Sequence, residues 1–189
     1  KELVLTLLGK SEAEDPRWFI KLSRALTIKE REDDDHFNRE LTTTSGWLAA
    51  SDIDQQRIVD VASRYLDVPT AKPEECRKES LNSIFMDGYI PAILLLHDKK
   101  PSWLASQTDS WWARWAWYIA REMHFDLHGE RNEPKVRLFS SLVEKAWPSL
   151  LTDVVKVVQQ SGDDAKSLST RLLRQLEDQA CAGLDKALA

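Results

Sequence analysis

The two side chains best spaced for chemistry in this 189-residue chain are His124 and His128. Four residues apart on a continuous helix, they face the same way with Asp126 and Glu130 nearby, so a divalent-metal site can be drawn. The pattern stops short of one. A zinc-protease helix carries Glu directly after the first His as general base, whereas Phe125 follows here, and Gly129 ends the helix just after the second. Histidines in a last helical turn also complement the helix dipole without any metal. A helical-bundle metal protein or enzyme built on His124 and His128 is therefore the second reading, and the leading expectation is a segment with no catalytic residue, no metal and no cofactor.

Other reactive residue types point the same way. The run Glu30, Glu32, Asp33, Asp34 and Asp35 is acidic enough for a cation but lacks the glycine and the spaced final Glu of a calcium loop, so it reads as a solvated surface. Cys76 and Cys181 sit in sequence contexts unlike those of nucleophilic cysteines, and their distance apart suits reduced cytoplasmic thiols. The six glycines are scattered, and none stands in the Gly-x-x-x-x-Gly-Lys setting of a phosphate loop.

Eight tryptophans are the positive feature. Trp111 and Trp115 share a helical face, and Trp18 sits beside Phe19 in an apolar stripe, so burial accounts for them. Trp47, Trp103 and Trp147 fall at helix starts or connectors, where they either plug gaps between helices or form an interaction surface.

Composition narrows the function classes. A net charge of −5 with basic residues interleaved among acids disfavours nucleic acid, whose binding depends on clustered Lys and Arg. No apolar run approaches the roughly 20 residues that cross a bilayer, and no signal peptide is evident. The expected partners are another protein or other domains of the same chain, in the cytoplasm. The chain begins at Lys1 inside an apparent helix, which suggests a piece of a longer protein.

The elements that position these residues are helices. Ile58, Val61, Ala62, Tyr65 and Leu66 recur at three- and four-residue spacing while Asp60, Ser63 and Arg64 take the opposite face. Ser51 and Asp52 mark the start of that helix, and Pro69 its end. A further helix is predicted near Glu74–Met86, an apolar one over Tyr89–His97, and one turn at Ser102–Ala105 after a Lys99–Pro101 connector. Thr108 or Asp109 caps a helix carrying Trp111, Trp112, Trp115, Trp117, Tyr118, Ile119 and Met123, whose apolar residues exceed one face, so it should be buried from two sides. Pro134 starts the next helix and Pro148 restarts it, and a last amphipathic helix carries Leu168, Leu172, Leu176 and Leu184. Upstream, Pro16–Leu26 reads as helix and Thr42–Gly46 as a turn. The fold expected is all-α, one helical domain over residues 1–189, with antiparallel helix pairs forming an α-solenoid-like array or a compact bundle.

Ser45-Gly46-Trp47-Leu48, Arg57-Ile58-Val59 through Ala62, Arg64-Tyr65-Leu66, Gly88-Tyr89 with Ala92 and Leu94-Leu95-Leu96, and Trp112-Ala113-Arg114-Trp115 together carry a resemblance. Over roughly residues 44–158 the chain resembles the HEAT-like helical-repeat region that follows the NTPase core of large bacterial NACHT or STAND proteins. The resemblance implies a non-catalytic scaffold or sensor in a signalling ATPase of antiviral defence. The motifs shared are structural, so no functional residue transfers with them.

Overall fold

The computed structural model describes residues 1–27, 40–68, 88–126, 133–160 and Arg174. Helix accounts for 85% of them and no strand occurs among them, so the fold is all-α. The predicted helix near Glu74–Met86, the acidic run, Cys76, Cys181, and the Leu168–Leu184 segment apart from Arg174 lie outside the described residues. The chain, read above as one helical domain, falls into two compact units, Lys1–Ser106 and Gln107–Ala189.

The first unit comprises α1 (Glu2–Ala13), α2 (Phe19–Leu26), α3 (Ser45–Leu48), α4 (Asp52–Leu66), α5 (Tyr89–Lys99) and α6 (Pro101–Ala105). Helix α4 follows the sequence pattern closely: Ile58, Val61, Ala62, Tyr65 and Leu66 are buried, and Asp60 and Arg64 are exposed. Ser63, expected on the wet face, is buried instead. Its Oγ donates to the Asp60 carbonyl at 2.8 Å, which satisfies the hydroxyl inside the helix itself. Ser51 caps the start, its Oγ accepting from the Asp54 N–H at 3.2 Å and donating to Asp54 Oδ2 at 2.7 Å.

Three segments depart from the expected layout. Pro16–Leu26 is a 3₁₀ turn, Pro16–Trp18, opened by the Asp15 carboxylate accepting from the Arg17 N–H and followed by α2. The turn expected at Thr42–Gly46 is helical: a 3₁₀ turn at Leu41–Thr43 leads into α3, where Thr44 Oγ1 accepts from the Trp47 N–H at 3.3 Å. Lys99 and Pro101, read as a connector, belong to α5 and α6, because proline is well placed in a first turn.

The core of this unit centres on α5, where Ala92, Ile93, Leu94, Leu95 and Leu96 are buried in succession. Five consecutive buried positions cover every direction around a helix, so α5 is enclosed rather than laid on a surface. An aromatic stack ties it to its neighbours. Tyr65 of α4 stacks on Phe19 of α2 at 5.4 Å and on Tyr89 of α5 at 5.0 Å between ring centroids.

The second unit contains α7 (Asp109–Asp126) and α8 (Glu133–Gln160), which pack against each other. Thr108 caps α7 by accepting from the Trp111 N–H at 3.2 Å. Trp112, Trp115, Ala116, Tyr118, Ile119 and Ala120 are all buried. At about 100° per residue they span roughly 200° of the helix circumference, twice the stripe that one packing partner needs. Their rings interlock, with Trp111 edge-on to Trp112 at 5.3 Å and Trp115 edge-on to Tyr118 at 5.8 Å. Trp112 Nε1 is buried without an acceptor among the described residues. Such an orphan donor costs about 1–3 kcal/mol, so apolar packing is what holds this ring inside.

Pro148 restarts the helix as its place in the sequence predicts: α8 is two helical stretches joined across a kink, with Ala146 non-helical at φ −134° and ψ 18° and Pro148 in the first turn of the second stretch, where its missing N–H leaves no bond unmade.

Candidate interaction surface

The residues singled out by sequence separate in the structure. Trp47 is 4% exposed and belongs to the core, which removes it from any surface. Burial is the first of the two roles the sequence left open for it, that of filling a gap between helices. Trp103 is half-buried on α6, and Trp147, 37% exposed, stands at the kink of α8. Trp18 was expected inward beside Phe19, in a stripe that Leu22 and Leu26 continue. Those three are fully buried, while Trp18 is half-buried with Lys21 Nζ at 4.1 Å and Lys10 Nζ at 4.8 Å from its ring centroid. Ammonium groups over an indole face are an attractive arrangement at a surface.

His124 lies on α7, but its side chain and the whole of His128 fall outside the described residues. Among the described residues no group of three His, Cys, Asp or Glu side chains is placed to hold a metal, and no helix is long and apolar enough to cross a membrane.

The most organised polar cluster is structural. Arg57 of α4 reaches Glu12 of α1 through Nε–Oε1 at 2.9 Å and Nη2–Oε2 at 2.5 Å, and Asp54 through Nη1–Oδ1 at 2.8 Å. Two carboxylates hold the guanidinium firmly in its charged form, Glu12 contributing most. Asp54 is held below the usual carboxylate range, first by the Ser51 hydroxyl and then by Arg57. Arg64 Nη1 donates to the Glu12 carbonyl at 3.2 Å, and Lys100 pairs with Asp60 at 2.9 Å. These charges join α1 to α4 and Lys100, which precedes α6, to α4. Each already has its partner in the fold.

A different feature faces outward. Val4, Leu5, Ala25, Leu26, Ala49 and Ala50 line an apolar cavity of about 100 Å³, with Lys1 and Asp54 also on its wall. It forms where α3 meets the end of α2, an approach that Gly46 permits: a Cβ there would lie 2.6 Å from the Leu26 carbonyl oxygen. Leu5 of the lining is itself 38% exposed. Leu48, 69% exposed, adjoins the lining residue Ala49, and Ile53, 74% exposed, adjoins Asp54. Small-molecule sites usually enclose roughly 300–1,000 Å³, so this cavity is too small for a cofactor and suits the end of one aliphatic side chain. Large exposed aliphatics of this kind cost solvation free energy unless something covers them.

No protein-family signature matches the chain, and no curated protein or solved structure does so either.

Proposed function

We propose that this chain is a helical scaffold or sensor segment that binds a protein partner and performs no chemistry of its own. The observation that carries the reading is the set of exposed aliphatics of the first unit, Leu5, Leu48 and Ile53, of which Leu5 lines an apolar cavity and the other two follow or precede its lining residues in the chain. An apolar anchor from the partner enters that cavity, while exposed aliphatics of the same unit add apolar contact area and exclude water. The strongly polar groups support the same reading, because Arg57, Glu12 and Asp54 are committed to one another across two helices.

The finer proposal places the segment downstream of the NTPase core of a bacterial STAND-type defence protein, as a region that senses a trigger and passes the signal on. It rests on the resemblance of the residues from Ser45-Gly46-Trp47-Leu48 to Trp112-Ala113-Arg114-Trp115 to those helical repeats. Its test is the full reading frame: a Gly-x-x-x-x-Gly-Lys-Ser/Thr loop encoded upstream is expected, and a frame without one contradicts it.

The scaffold reading is tested by affinity capture with the native chain and a Leu48→Asp/Ile53→Asp variant of equal thermal stability. A protein held in stoichiometric amount by the first and lost by the second is the expected result. Equal retention by both, or a substrate turned over by the pure chain and abolished by one substitution, overturns the reading.

A further inference from the structure

We draw no further inference here: the strongest candidate, the apolar stripe of Trp147, Leu151 and Val155 on the second half of α8, is an unpartnered helix face, and nothing among the described residues shows what covers it.

Discussion

Gly46 sits so close to Leu26 that a methyl group on its Cα would lie 2.6 Å from the Leu26 carbonyl oxygen and 2.8 Å from the Leu26 Cα. Both are backbone atoms, which cannot swing aside as a side chain does. Gly46→Ala must therefore push α3 away from α2 and should destabilise the fold by about 1–3 kcal/mol, the usual cost of overpacking. Urea unfolding followed by circular dichroism measures it. A variant as stable as the parent would mean that the two helices are not in this contact.

The Arg57–Glu12 pair offers a second check on how α1 and α4 meet. A bidentate, partly exposed pair should give a coupling of about 1 kcal/mol in a double-mutant cycle of Arg57→Ala and Glu12→Ala. Arg57→Lys should recover little of it, because an ammonium cannot make the two parallel bonds. A coupling near zero would show that the pair does not form in solution.

What the sequence made legible was local. The Ser51 cap and the buried face of α4 were readable because both the capping oxygen and the apolar period lie within one helix. The Thr108 cap and the broad apolar girth of α7 were readable for the same reason. Contacts between distant residues were not. Glu12 and Arg57 are 45 positions apart, and no spacing rule brings them together. Gly46 read as a turn glycine, although its value lies in the space it leaves for Leu26. Tryptophan type alone could not separate Trp47 from Trp147, since the difference between them is made by whatever packs on top. The apolar cavity escaped notice altogether: its wall draws on α1, α2, α3 and Asp54 of α4, and alanines carry no chemical signal.

The Ser51–Asp54 contact makes stability depend on acid. Because the folded carboxyl titrates below its unfolded range, its contribution is complete above the unfolded value and fades as pH falls below about 4 through the folded value. Ser51→Ala removes the largest cause of the lowering. The difference in stability between parent and Ser51→Ala should accordingly stay constant in the neutral range and shrink only as pH falls below about 4. A difference constant over the whole range would detach Asp54 from the cap.

Rings in α7 should respond unequally to substitution. Trp115→Ala empties a fully buried site and should cost about 3–5 kcal/mol. Trp112→Phe should cost less than about 1.5 kcal/mol, because it discards a buried donor that has no acceptor among the described residues along with part of the ring. Chemical unfolding of the two variants orders them. Equal losses would place an acceptor on Trp112 Nε1.

Binding of a protein through the exposed aliphatic surface of the first unit, as proposed, is open to photo-cross-linking in cells, with a photoreactive amino acid introduced at Leu48 or at Ile53 and the same group at the exposed Asp98 of α5 as reference. Both aliphatic positions are expected to cross-link to one protein partner, and Asp98 is not. Cross-linking that is absent at Leu48 and Ile53, or equal at all three positions, would contradict it.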